Sequence, residues 1–330
     1  MMLSVIIISY NEAEYLPGAI ESCLTQNFSG DYEIIIGDDG SSDESLSIIQ
    51  KYEEKYPNKI RHFVMERGDE ADIIASVRVS NVIKRGLDDA SGKYITILSG
   101  DDCFCDNTKF QRSVDFLERR ENISIYSAYA TAYKQFWNNG EEKTELLMLQ
   151  KRKLPSVLLW GCWYIHLSCF VFRKFAPELL LKRFCDDDGM AYSILRRGKV
   201  FYDPVVAFAY RQREKSIMHE ADTFEFHIMR GLLAQDYLNA REMRIASLAR
   251  MAGDMQALFS MRDKLKAEKY TKYLLNAQHY DHNYLRLMRD YDRGGLVNKC
   301  KVRWILLVSQ ISYWYLFFFV RKMYFKLLSS

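Results

Sequence analysis

The 330-residue sequence predicts an α/β protein: a mostly parallel central sheet flanked by helices, followed by an α-helical C-terminal region. Three observations carry that expectation. Short apolar runs recur at Val5-Ile6-Ile7-Ile8, Glu33-Ile34-Ile35-Ile36 and Tyr94-Ile95-Thr96-Ile97-Leu98, as expected of strands buried on both faces. Helix-like segments separate them in a βαβαβ order. Each run then breaks into polar residues: Ser9-Tyr10-Asn11-Glu12, Asp38-Asp39-Gly40-Ser41 and Ser99-Gly100-Asp101-Asp102. Ligands of open α/β sheets bind outside the carboxyl ends of the strands, so the three polar ends predict a site on one edge.

The elements follow in order. A first helix over about 13–26 presents Leu16, Ile20, Cys23 and Leu24 on one face. A second over about 43–56 is capped by Ser42 or Asp43 and turns Leu46, Ile49 and Tyr52 to the sheet. A third covers roughly 71–90, and a fourth 107–120. Strand-like residues fill 123–137 and 169–174, with a polar turn at Asn138-Asn139-Gly140. Residues 184–210 begin with acids, continue as a short helix stopped by Gly198, and end as a strand. Residues 220–290 read as helices.

Composition narrows the function. Hydrophobic and charged contents of 48% and 27% are those of a globular protein, and a net charge of +3 gives no footing for nucleic acid. The seven cysteines have no zinc-knuckle spacing and are expected to be reduced thiols of a cytosolic protein. "MMLSVIIISYNE" lacks a basic leader and a cleavage site, so it reads as a strand.

The acids carry the chemistry. Asp38-Asp39-Gly40-Ser41 reads either as a nucleotide-base site or as a tight turn with a helix cap. The adjacent carboxylates Asp101 and Asp102 repel, so water, a cation or a ligand that brings one is expected to compensate them. A nucleoside diphosphate is itself anionic, so acids beside it imply a bridging cation. Mg2+ or Mn2+ commonly binds through one or two carboxylates plus substrate phosphates, with Asp102 as ligand and Asp101 beside it toward the ribose or metal waters.

The segments "SVIIISYNEAEYL", "EIIIGDDGSSDES", "GLDDASGKYITILSGDD" and "GKVFYDPVVAFAYR" together resemble the family 2 inverting glycosyltransferases of the GT-A fold, over about residues 3–217. The resemblance implies a nucleotide-sugar donor, a UDP-sugar first among them, and a divalent cation, Mn2+ or Mg2+. It places Ser9, Tyr10, Asn11 and Glu12 around the nucleoside, Asp39 at the base, and Asp101 and Asp102 in the ribose- and metal-binding motif. It sets the catalytic base eleven residues before Gly198, at Asp187, flanked by Asp186 and Asp188. A positioned carboxylate suits a reaction in which an acceptor hydroxyl loses its proton.

Three positions depart from the family pattern. Ile8 stands in place of a proline, Ser99 in place of an acid, and Arg213 where relatives often carry a metal-binding histidine. A guanidinium cannot ligate a metal but can grip a diphosphate, and that role is expected of Arg213. Lys84 and Arg78 face either the phosphates or solvent. Trp160, Trp163, Tyr164 and His166 belong to the acceptor site or to the core.

The expected organisation is a catalytic domain over 1–217, split into a nucleotide half (1–106) and an acceptor half (107–217), then a helical region over 218–330. Within the latter, 304–320 is apolar and aromatic, and cations lie through 299–326. That pattern suits an interfacial helix on the inner face of the cytoplasmic membrane, or an ordinary buried helix or oligomer interface. The whole reads as a cytoplasmic, membrane-associated glycosyltransferase acting on a glycan or lipid-linked acceptor. A catalytically inert nucleotide-sugar-binding subunit is the alternative, and a receiver-like signalling domain is disfavoured by the separate acids at 186–188.

Overall fold

The computed structural model describes residues 1–66, 75–119, 128–137, 142–143, 166–175, 190, 194, 200–213 and 299–300. All of these except Lys299 and Cys300 fall in one compact unit. The first half runs β1 (Leu3–Ser9), α1 (Leu16–Leu24), β2 (Tyr32–Asp38), α2 (Ser45–Lys55), β3 (Ile60–Val64), α3 (Ala75–Asp89), β4 (Tyr94–Ser99). The rest adds β5 (Cys103–Phe104), α4 (Lys109–Glu118), β6 (Ala128–Trp137), β7 (Glu142–Lys143), β8 (Phe170–Arg173) and β9 (Val200–Gln212).

Among the described residues these strands form one sheet in the order β3-β2-β1-β4-β8-β6-β9-β5, with β7 beside β6. β3, β2, β1 and β4 are mutually parallel, as the continuous apolar runs of β1, β2 and β4 predict for those three. Side chains alternate across the sheet. Leu3, Val5 and Ile7 of β1 pack with Ala19 and Ile20 of α1, Ile49 of α2 and Phe110 of α4. Ile6 points to the opposite face, where Ile83 and Leu87 of α3 cover it. Burying each such side chain contributes about 1.5–3 kcal/mol, which is why both faces must be covered.

The helix ends differ in detail from the expectation. Residue Glu44 precedes α2 without a side-chain cap, and Asp43, one position further out, accepts from the Ser45 N–H at 2.9 Å. Ser45 and Ile49 form the fully buried side of α2, while Leu46 is only half-buried. Sequence reasoning passed over three strands, β3, β5 and β7, because "IRHFV", "CF" and "EK" lack a long apolar run.

Strand order places a crevice. The chain leaves β1 toward β2 and β3 on one side, and β4 takes the other side, so the topological switch point lies between β1 and β4. β4 pairs with β8 only through Tyr94 and Ile95, and the Thr96 hydroxyl donates to Phe170 O at 2.8 Å. Its last residues, Ile97 to Ser99, therefore open toward the acids without a β8 neighbour in register.

The return strand β9 pairs in parallel with β6 and antiparallel with β5, bringing Ala209 opposite Cys103 and Phe208 opposite Phe104. Register shifts opposite Thr131, Ala132 and Tyr133 mark bulges in β9 around Pro204. Arg112 of α4 fixes this region, with Nε 2.6 Å from Asp203 Oδ2 and Nη2 2.5 Å from Asp106 Oδ2.

Candidate active site

The three strand ends meet through their backbones. The Asp39 N–H donates to Ser9 O at 2.9 Å and the Gly100 N–H to Ile8 O at 2.8 Å, so both flanking loops are stitched to the end of β1. Ser9 is buried in register with Asp38, Tyr10 is half-buried and Asn11 is exposed. Asn11 adopts a φ of 52°, a left-handed conformation that asparagine tolerates better than most residues. Its Oδ1 accepts from the Ser42 N–H at 2.8 Å, while its own N–H donates to Ser41 Oγ at 2.9 Å.

The serine-rich segment after β2 is a clamp. Asp38 accepts from Ser41 N–H and Oγ at 2.8 and 2.6 Å, and Gly40 at φ 73° turns the chain between them. Glu12 N–H donates to Ser45 Oγ and Ala13 N–H to Asp43 Oδ2, tying the start of α2 to the β1–α1 loop. Burial works against the charge on Asp43, but hydrogen bonds from Ser45 and Ala13 hold its carboxyl below the usual range.

Asp39 carries a different partner. Arg78, at the site end of α3, grips it bidentately, Nε to Oδ2 at 2.8 Å and Nη2 to Oδ1 at 2.7 Å, with both side chains buried. Of the two cations weighed from the sequence, Arg78 is the one at the strand ends. Lys84 lies six residues further along α3, about 9 Å down the axis.

Asp101 and Asp102 are both buried. Their partners come from β9: the Arg211 N–H donates to Asp102 Oδ1 at 2.8 Å and Arg211 Nε to Asp101 O at 2.9 Å. Arg213 Nη2 donates to Glu12 Oε1 at 3.0 Å, and Nε stands 2.9 Å from Asp101 Oδ2 as an ion pair off the line of a hydrogen bond. Both guanidinium groups lie against the Tyr15 ring, at 4.7 and 5.6 Å from its centroid. Burial first, then the Asp101 charge, push the Glu12 carboxyl well above its ordinary range, while Arg213 pulls the other way. Gly100 is enclosed: a Cβ there would meet Glu12 Oε2 at 2.4 Å and Ile8 O at 3.1 Å.

Among the described residues no three His, Cys, Asp or Glu side chains are grouped to hold a metal alone. The adjacent carboxylates fit a hard divalent cation only as a partial ligand set, completed by phosphate oxygens from a substrate.

Other expectations resolve unevenly. His166 is half-buried, stacked on Phe208 with centroids 4.7 Å apart and 5.0 Å from Tyr210. Its Nδ1 accepts from the Ser168 N–H, capping the 3-10 turn Leu167–Cys169. Asp186, Asp187, Asp188, Trp160, Trp163, Tyr164 and the 304–320 run lie outside the described residues. Among the described residues no helix is long and apolar enough to cross a membrane. Tyr15 and Arg211 escaped sequence reasoning. The "YR" of the last motif was a signal for Arg211, whereas Tyr15 looked like one more helix residue.

The profile of the family "Glycosyl transferase family 2" matches residues 4–180. The minor teichoic acid biosynthesis protein GgaA of Bacillus subtilis is 35% identical over 222 residues, covering 61% of this chain and 47% of GgaA. GgaB of the same organism is 31% identical over 222 residues, covering 64% of this chain and 23% of GgaB. The chain thus spans at most about half the length of these curated relatives. Residues 1–349 of S. aureus TarS, solved in complex with UDP-GlcNAc, superimpose with a TM-score of 0.58 at 17% identity, covering 95% of this chain and 91% of that one.

Proposed function

The chain belongs to glycosyl transferase family 2, and on that premise we propose that it transfers a sugar from a nucleoside-diphosphate donor to a hydroxyl of a glycan or lipid-linked acceptor. The observation that carries the reading is the meeting of Asp39, Asp101 and Asp102 with Arg78, Arg211 and Arg213 at the switch point of a parallel sheet. A UDP-sugar is the donor to test first, because the TarS fragment was solved with UDP-GlcNAc. The names of GgaA and GgaB favour a teichoic-acid-like polymer as acceptor. The catalytic domain is 1–217, and the basic, aromatic 299–326 segment holds the enzyme to the membrane surface.

In this mechanism the acceptor oxygen attacks the anomeric carbon from the face opposite the diphosphate and inverts it. The carbon–oxygen bond to the diphosphate breaks, its electron pair leaving with the phosphate, and the hydroxyl proton passes to Asp187. A divalent cation, when bound, supplies neutralisation of the charge growing on the leaving group. Asp102, with Asp101 beside it, would hold that cation. Asp39 receives the base, Ser9, Tyr10 and Asn11 line the nucleoside, and Arg213 faces the diphosphate.

Nucleotide release from a panel of nucleotide sugars, with and without membrane glycolipid, tests the reading. Asp187→Asn is expected to lower transfer by about a thousandfold, the scale of losing a general base, while leaving donor affinity within about twofold. Donor binding by the wild type without any release would instead mark the chain as a nucleotide-sugar-binding subunit.

A further inference from the structure

The donor site contains a contact that sugar transfer does not itself require. The Arg213 guanidinium lies between two carboxylates, 3.0 Å from Glu12 and 2.9 Å from Asp101. The three side chains are 16%, 7% and 11% exposed, so this is no surface pair of negligible consequence. The partners come from the ends of β1, β4 and β9, and 201 positions of sequence separate Glu12 from Arg213.

Two further observations define what the guanidinium does. Glu12 Oε2 is buried and has no hydrogen-bond partner among the described residues, so Arg213, on Oε1, is the cation that meets this carboxylate. Arg211, two residues earlier and still within β9, packs its guanidinium on the same Tyr15 ring as Arg213 does. The Arg213 guanidinium therefore faces the Glu12 and Asp101 carboxyls, while Arg211 gives its N–H to Asp102 and its guanidinium to the Asp101 carbonyl oxygen. Asp101 is compensated before any donor or metal arrives.

We propose that Arg213 is a resident cation of the donor site, held on Asp101 by Glu12, which takes over part of the charge compensation of the diphosphate and competes with a divalent metal for the Asp101 carboxylate. The proposal rests on the donor reading above and deepens it. Glu12 is then a positioning residue for Arg213 rather than a contact of the nucleoside. Metal binding without nucleotide is weak, because a dication must displace a guanidinium already anchored at two points. Nucleotide binding without metal is substantial, because that guanidinium is already in place.

Two probes on the full chain test this. In the first, Mn2+ alone is titrated and the free ion followed by electron paramagnetic resonance. Arg213→Gln is expected to bind Mn2+ about tenfold more tightly than the wild type, and Arg213→Lys, which keeps the charge, to stay within about threefold. In the second, UDP alone is titrated by calorimetry, in EDTA and in Mn2+. The wild type is expected to retain in EDTA an affinity within about tenfold of that in Mn2+, and Arg213→Gln to fall a further tenfold or so in EDTA. Unchanged or weaker Mn2+ binding by Arg213→Gln overturns the proposal. So does a wild-type UDP affinity that falls more than about tenfold on metal removal, a result that needs no variant to fold. Failure of UDP to bind under any condition overturns the donor reading instead, and the Mn2+ titration then decides the role of Arg213 by itself.

Discussion

Lys109 opens α4 with a side chain sealed in the core, and replacing it by methionine should stabilise the protein at neutral pH. Its Nζ donates to Cys169 O at 3.3 Å and lies 4.8 Å from the Phe104 ring centroid. Burial is the largest influence and lowers its pKa from 10.5 to about 8; Cys169 opposes the fall, Arg112 adds to it, and Cys23 and Asp106 oppose it. That difference corresponds to about 3 kcal/mol of destabilisation when the amine is charged. The sign follows from proton counting. Between the folded and unfolded pKa values the unfolded chain binds the extra proton, so stability rises with pH across that window. Below the folded pKa the full penalty is present. Lys109→Met keeps the unbranched shape and removes the charge, at the loss of one hydrogen bond of about 1 kcal/mol. Cys169 O still accepts from Thr131 Oγ1 at 3.4 Å. The net expectation is a gain of about 2 kcal/mol at pH 7 that disappears by about pH 10. Urea unfolding of both proteins at the two pH values measures it. A variant less stable at pH 7, or an advantage independent of pH, would refute the assignment of a charged, desolvated amine.

Three further outcomes follow from the site. Arg78→Met strands the buried Asp39 carboxylate and should cost about 3 kcal/mol of stability in urea unfolding, most of it recovered in the double variant with Asp39→Leu; equal losses in single and double variants would contradict a mutual dependence. Gly100→Ala drives a methyl onto Glu12 Oε2 and toward Ile8 O, so we expect about 1–3 kcal/mol of destabilisation and weaker UDP binding in EDTA. Deleting Val205, which is 41% exposed in the β9 bulge, should fold yet turn Gln212 toward Tyr15 in place of the two arginines. UDP affinity should then fall about tenfold while Val205→Ala leaves it unchanged, and an unaffected deletion variant would show that the bulge absorbs the change.

The first half of the fold was legible because its signal is local. Val5 to Ile8, Glu33 to Ile36 and Tyr94 to Leu98 are apolar runs that only a doubly covered sheet buries, and the polar breaks after them fall at the strand ends found. The edge strand β3 was not legible: Ile60 is buried, but Arg61, His62 and Phe63 are half-covered and Val64 is exposed, so the run never looked continuous. The roles of individual polar residues were harder still. Asp38 and the serines after it have the composition of a ligand loop, and their hydrogen bonds are spent on the clamp that holds Asn11 and Glu12. Arg78 and Lys84 share a helix and a charge; position along the helix axis separates them, and no composition rule reports that.

The acid pair at the end of β4 makes the general reason plain. That Asp101 and Asp102 need compensation follows from their adjacency alone. What compensates them depends on a strand that returns more than a hundred residues later and on the register it keeps. Arg211, near the end of β9, gives its backbone N–H to Asp102, and Arg213, one residue past the strand, brings its guanidinium to Asp101; both lie beyond bulges that set the register. Counting an equivalent position from relatives marks Arg213 as a substitute for a histidine, able to grip a diphosphate but not a metal. Its place between Glu12 and Asp101, which counting does not report, ties that guanidinium to the acid pair as well. A cation carried by the chain needs no capture from solution, and its position is fixed by two carboxylates before the donor arrives. Arg213 and the buried Glu12 are therefore one feature: the guanidinium draws the Glu12 carboxyl back toward its charged form, and Glu12 anchors the guanidinium beside Asp101.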